Sequence, residues 1–333
     1  VACMVRESKL GETGRDGRLA FHRFIGISLG GGRGKTTAVA RLEPGREPGS
    51  LVLAEARARR GHRGGGDVSV ERDTIAFRDE VLVSYLDEWV DERTVVAIDA
   101  PLTLPPCVRC QLACPGVEAC SVPAVAWMRR HSPNLVLRKG RSDPGKPRVT
   151  PYTQRATELL LERVHLQPRE ALGQGMGPRA ARAAFLRRRL SRLRLNENLI
   201  EVHPRATMIR LFGSERERWT RRGEQVGAWE VRKEMLRDLA HGLELDRVWP
   251  ELVVRDVHVF HAVVSAFTAL MWSQQGWRGP ADLLEFREQR QGIGGVQSVD
   301  PEVPETLASA VADLGDLWLE DGWIWTPPTS AVR

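Results

Sequence analysis

Residues 95–101, VVAIDAP, limit the fold more than any other stretch of the chain. Four apolar residues in a row suit a strand buried on both faces, because neither face alternates with polar side chains. Asp99 and Pro101 end the run, since proline has no amide with which to extend a ladder. An acid at the carboxyl end of a buried strand lies where the flanking helices of an α/β sheet leave a crevice. Asp99 is therefore the first candidate for chemistry.

The segments before it point the same way. Residues 24–29 (FIGISL) read as a buried strand, followed by a glycine-rich turn and a second β-prone run at 36–42 (TTAVARL). Strand, glycine turn, strand is a hairpin. The run GGGRGKTT invites comparison with a nucleotide-binding P-loop, but Leu29 stands where that motif needs glycine, and 36–42 is strand-like where it needs a helix. A glycine turn offering backbone amides to a phosphate, with Lys35 beside it, stays open. Residues 51–58 read as a third strand. Residues 74–92 read as a helix with one apolar stripe (Ile75, Val81, Leu82, Tyr85, Leu86, Trp89). The order β-β-β-α-β predicts a mixed α/β sheet.

The second half reads as helices around one more strand. Helices are expected at 151–164, at 177–195 with an arginine face that is either solvated or phosphate-binding, from Pro204 to Gly213, at 229–243, 258–274 and 281–290, and at 305–318, the last either all helix or a helix followed by a short strand. Strands are expected at 198–202 (NLIEV) and near 322–327. The 258–274 helix is apolar almost all round and is expected to be buried. Residues 105–150 read as one long Cys-, Pro- and Arg-rich loop, which in a compact domain needs a reason. Residues 1–20 read as a disordered tail, and 21–328 as one domain carrying the 105–150 insertion.

Composition adds bounds. With 333 residues, 42% of them hydrophobic, the chain can bury a full core. No run approaches the ~20 apolar residues of a membrane span. The N-terminus lacks a signal-peptide core, so a soluble cytoplasmic protein is expected. The net charge of +6 is compatible with a nucleic-acid partner. However, only Lys9, Lys35, Lys139, Lys146 and Lys233 are lysines among 49 basic residues, which fits coding bias equally well.

Two constellations could carry chemistry. Asp99 and Glu201 both fall at or near strand ends, where carboxylates from distant segments can converge on Mg²⁺ or Mn²⁺ for phosphoryl chemistry. The competing reading has Asp99 capping its turn and Glu201 paired with an arginine. Arg155 is placed either to meet a phosphate or to pair with Glu158. His258 and His261 lie one turn apart and are either a metal pair or core histidines. The second constellation is Cys107, Cys110, Cys114 and Cys120, four soft ligands on one loop. Clustered thiolates select zinc or a [4Fe–4S] cluster.

FIGISLGGGRGKTTAVARL (24–42), AIDAPLTLP (97–105), LIEVHP (199–204), HAVVSAFTA (261–269) and DGWIWTP (321–327) occur in this order. As a set they resemble the domain-of-unknown-function family numbered 429, described as predicted nucleases of RNase H-like fold. The resemblance spans about residues 21–328. It implies an RNase H-like core, with hairpin strands joined to parallel strands and flanked by helices. It also implies metal-dependent cleavage of nucleic acid, with Asp99 and Glu201 as ligands. Ser28 and His261 stand where the family usually carries Asp. Two fewer carboxylates weaken the hold on two Mg²⁺ ions, so impaired catalysis is expected. A non-catalytic nucleic-acid-binding protein stabilised by the cysteine-bound metal is the alternative reading. An actin-like ATP-binding fold is the second alternative.

Overall fold

The computed structural model describes residues 21–32, 35–46, 50–58, 77–136, 148–173, 175–221, 226–239, 243–245, 247–287 and 302–328. The proposed tail at 1–20 lies outside the described residues. The strands are β1 (Arg23–Ser28), β2 (Ala38–Pro44), β3 (Leu51–Arg57), β4 (Thr94–Ile98), β5 (Leu199–Val202), β6 (Leu243–Glu244) and β7 (Ile324–Trp325). They form one mixed sheet in the order β6-β3-β2-β1-β4-β5-β7. The pairs β1–β2 and β2–β3 are antiparallel, and β1–β4, β4–β5, β5–β7 and β3–β6 are parallel. The apolar β4 is thus a central strand with neighbours on both edges, as its unbroken hydrophobic run requires. The second run of the glycine hairpin is strand β2, not the helix a P-loop demands.

Two cores sandwich this sheet. On one face lie α1 (Asp79–Trp89) and α5 (Gly177–Arg189), which bury Leu82, Leu86, Ala183 and Leu186 against Ile25, Ile27, Val96 and Ile98. On the other lies α10 (Val257–Gln275) over Phe24, Ala40 and Ala97, with α3 (Pro123–Leu135), α4 (Ala156–Arg163), α6 (Pro204–Phe212), α8 (Val226–Leu239) and α9 (Pro250–Arg255) around it. Helix α10 starts where Asp256 accepts bonds from the His258 and Val259 amides, and ends at Gly276 in the left-handed region. Its Ala262 and Ala266 press on β1 at Gly26. A Cβ there would lie 3.0 Å from Ala266 Cα and closer still to the Ala262 carbonyl oxygen and the Ala266 nitrogen. The glycine in the first strand is what lets α10 lie on the sheet, and it brings His258 and His261 over the strand ends.

Several expectations need correction. Residues 105–150 are not one loop: they contain α2 (Pro106–Arg109) and the 13-residue α3. Helix α3 was obscured by Pro123 and Pro133. Pro123 begins the helix, where its missing amide costs nothing, and Pro133 sits near its end. Its Trp127, Met128 and Leu135 belong to the main core. The helix expected at 151–164 begins only at Ala156, where the Glu158 carboxylate reaches back to accept the Arg155 amide at 2.5 Å. The 177–195 helix stops at Arg189, and the helix expected at 229–243 runs from Val226 to Leu239, with Leu243 in β6. Short α7 (Ser214–Thr220) and α9 had no sequence expectation. A 3-10 helix (Gly279–Arg287), α11 (Glu302–Leu314) and α12 (Leu317–Asp321) complete the chain up to β7. Among the described residues, no helix is long and apolar enough to cross a membrane.

Candidate functional site

An open cleft of about 170 Å³ lies at the carboxyl ends of β4 and β5. Asp99, Arg179, Glu201, His203, Arg205, His258 and His261 are among its lining residues. Asp99 is held by its own backbone, since its amide donates to the Ile27 carbonyl at 2.9 Å and extends the β1–β4 ladder by one rung. Its carboxylate lies between two cationic or polar partners. Arg179 Nη1 is 3.8 Å from Oδ2, and His203 Nδ1 is 3.8 Å from Oδ1.

Each partner arrives by a local device. His203 follows the last residue of β5, and Pro204 then starts α6, so the imidazole is fixed at a strand-to-helix corner. Arg179 is in the first turn of α5. That turn reaches Asp99 because the β1–β2 connection gives way at Gly31, where a Cβ would lie 2.9 Å from Arg179 Cγ. Arg182, one turn further along α5, pins the same connection by donating to the Gly30 carbonyl at 2.9 Å and to Thr37 Oγ1 at 2.6 Å. The Gly30 amide is also engaged, donating to Thr37 Oγ1 at 3.0 Å. The glycine turn therefore serves as the hairpin corner. Lys35 and Ser28 are not among the lining residues of the cleft; Ser28 is buried at the end of β1. Of the α5 arginines, Arg182 and Arg187 spend guanidinium groups on backbone carbonyls, while Arg179 turns to the cleft.

Glu201 has a different fate from Asp99. In β4–β5 pairing Ile98 lies beside Glu201, so these two share a face of the sheet, and Asp99, one residue on, starts toward the other. Glu201 is then engaged on both oxygens. Arg155 donates Nη1 to Oε2 at 2.8 Å and Nη2 to Oε1 at 2.6 Å, and the Leu102 amide donates to Oε2 at 2.8 Å. Arg155 is fully buried and also binds Glu158 Oε1 from Nε at 3.0 Å and Nη2 at 2.6 Å. The expectation of Arg155 as a phosphate contact gives way to the ion pair with Glu158, joined by Glu201, and the guanidinium lies behind the cleft wall. Burial pushes the Glu158 carboxyl up and Arg155 opposes it.

The donor set does not fit two hard cations. Mg²⁺ and Mn²⁺ pairs need several carboxylates, and Glu201 already has three donors on its two oxygens. Among the described residues, no three His, Cys, Asp or Glu side chains are grouped so as to hold a metal ion. What the cleft does hold is imidazole. His203 Nε2 and His261 Nε2 are both buried without a hydrogen-bond partner. Burial lowers the His261 pKa to about 4 against the upward pull of Asp99, so at neutral pH this ring is an uncharged base.

That shift carries a stability prediction. The unfolded chain protonates His261 near 6.5 and the folded chain only near 4. Below 6.5 the unfolded state binds more protons, so stability is full above that pH and falls as pH drops toward 4, by no more than about 3 kcal/mol. Urea titrations of wild type and His261→Asn across this window check it. An equal slope in both proteins would remove the assignment to His261.

Helices α5, α6 and α10 all begin at the cleft, and their N-terminal ends carry partial positive charge. With Arg169 and Arg179 on the wall, the cleft suits an anion, and Asp99 and neutral His261 supply two bases beside it. Sequence reasoning named His258 and His261 but gave no site role to His203. The signal for His203 was its position between a strand-end glutamate and a helix-starting proline.

A family model, described as protein of unknown function (DUF429), matches residues 46–284. That is most of the chain, and it covers Asp99, the four clustered cysteines, Glu201, His203 and His261. The chain belongs to the DUF429 family. Among the curated proteins and among the solved structures, no match to the chain was found. The β1–β2 hairpin and β7 of this DUF429 chain lie outside the matched residues.

Cys107, Cys110, Cys114 and Cys120 of the DUF429 chain stand apart from the cleft wall. Cys107 lies in α2, Cys110 caps it, Cys114 is exposed, and Cys120 is buried just before α3; all four are free thiols. Burial first, then the neighbouring Cys120, Cys114 and Cys110, push the Cys107 thiol up.

Proposed function

We propose that the chain hydrolyses phosphodiester bonds of nucleic acid at the Asp99 cleft, on a scaffold of RNase H-like type. The observation that carries this reading is Asp99 at the end of a central strand, with Arg179 and His203 each 3.8 Å from its carboxylate. The sheet supports the scaffold reading, since an antiparallel β3-β2-β1 set continues into parallel β4 and β5. In this reading Arg179 and the helix N-termini hold the phosphate oxygens. Asp99 or neutral His261 takes a proton from the attacking water, whose oxygen bonds to phosphorus. The bond to the leaving oxygen breaks, and that oxygen takes up a proton from solvent as it departs.

The test is cleavage of labelled DNA and RNA, single- and double-stranded, with Mn²⁺, with Mg²⁺ and with chelator. Asp99→Asn is expected to lower the rate by at least about 100-fold. Cleavage at the wild-type rate in that variant would overturn the assignment. A second reading, binding without cleavage, is favoured by the engagement of Glu201 with Arg155. It predicts no cleavage by wild type and a nucleic-acid shift that weakens steeply with salt. Binding of ATP alone, with neither cleavage nor a shift, would reject both.

A further inference from the structure

We propose that Cys107, Cys110, Cys114 and Cys120 together bind one soft metal centre, zinc or an iron–sulfur cluster, whose work is to fix the segment joining β4 to α3. This does not depend on the reading of the cleft. The four side chains share one short segment, with Cys107 and Cys110 on a single helical turn, three residues apart and so on the same side. Gly116, at φ +89°, turns the chain between Cys114 and Cys120. Both limbs are fastened. The Cys107 amide donates to the Pro151 carbonyl at 3.1 Å, and Arg129 Nη1 donates to the carbonyls of Val117 and Cys120 at 2.7 and 3.2 Å. The Leu112 amide donates to Cys110 Sγ at 3.4 Å, the kind of bond that supports a thiolate ligand.

Between these fastenings the segment has no core of its own. Residues 111–116 are exposed, Leu112 by 70%. A loop that buries nothing gains its order from a crosslink, and four thiols on one short segment can supply it by holding a metal. The sulfurs are not yet grouped as a ligand set. Metal binding assembles such a set, because the ligands lose their protons and converge only on the ion.

The tie to the rest of the protein runs through Arg109, at the end of the same helical turn. Its Nη2 donates to buried Asp321 Oδ1 at 2.6 Å, and Asp321 Oδ2 accepts the Ala156 amide at 2.8 Å, beside Arg155. A centre on Cys107 and Cys110 thus steadies the turn that anchors the start of α4.

The full chain, purified without oxygen or chelator, should contain about one zinc or about four irons. A broad absorption band at roughly 400 nm identifies the iron–sulfur form, and a colourless protein the zinc form. The thiol reagent DTNB should leave these four cysteines unreacted until chelator is added. Cys110→Ser with Cys114→Ser should reduce bound metal at least about tenfold. Wild type that is free of metal with its thiols reacting at once, a disulfide among the four, or metal content unchanged in the double variant would each overturn the proposal. The wild-type thiol and metal counts decide the matter even if the variant does not fold.

Discussion

Arg155→Met should lower stability at pH 7 by about 3–5 kcal/mol, the cost of leaving buried charge without its partner. Arg155 is fully buried and serves two carboxylates at once, Glu158 and Glu201, which are themselves almost without solvent. With arginine removed, burial acts unopposed on Glu158, already raised above its usual range in the intact protein. The carboxyl then takes up a proton on folding. A folded pKa above the unfolded value favours the folded state at low pH, and that contribution is lost as pH rises through the folded pKa. The deficit of Arg155→Met should therefore shrink between pH 7 and pH 5. Arg155→Lys should recover only part of the loss, because an ammonium cannot span two carboxylates as the guanidinium fork does. Urea titrations at both pH values read all three results. A loss of under about 1 kcal/mol at pH 7 would mean that the buried triad is not ionised as its geometry implies.

Gly26→Ala should cost about 3 kcal/mol or more and disturb the cleft as well. Overpacking a core typically costs about 1–3 kcal/mol when side chains can shift. Here the new methyl meets the backbone of α10 at Ala262 and Ala266, and a helix backbone cannot give way locally. The helix must lift from β1, taking His258 and His261 with it. Two readouts follow: the melting midpoint, and the acid sensitivity assigned to His261, which should weaken as the ring gains solvent. An alanine variant with unchanged stability would mean that the contact between β1 and α10 is looser than these positions give.

Much of the architecture was legible in local pattern. The apolar runs of β1, β2, β3 and β4 fall within two residues of where the sequence puts them, because continuous burial leaves a continuous apolar signature. The apolar helix 258–274 is α10, buried along almost its whole length for the same reason. Helix α3 was hidden because Pro123 and Pro133 outweigh, in local propensity, an apolar face that only the core rewards. Helices α7 and α9 are too short for a periodic pattern to declare itself.

By itself, the sequence determined the α/β class, the strand-end position of Asp99 and the clustering of four cysteines, since each follows from residues adjacent in the chain. The tertiary structure alone decided which groups meet. Glu201 lines the same cleft as Asp99, but both of its oxygens are taken by Arg155, 46 residues away in sequence. Asp99 gains Arg179 and His203, brought from α5 and the β5–α6 corner. Strand register and helix packing set these partnerships. An ionised side chain has many opposite charges it could pair with, and only burial against particular neighbours fixes the choice.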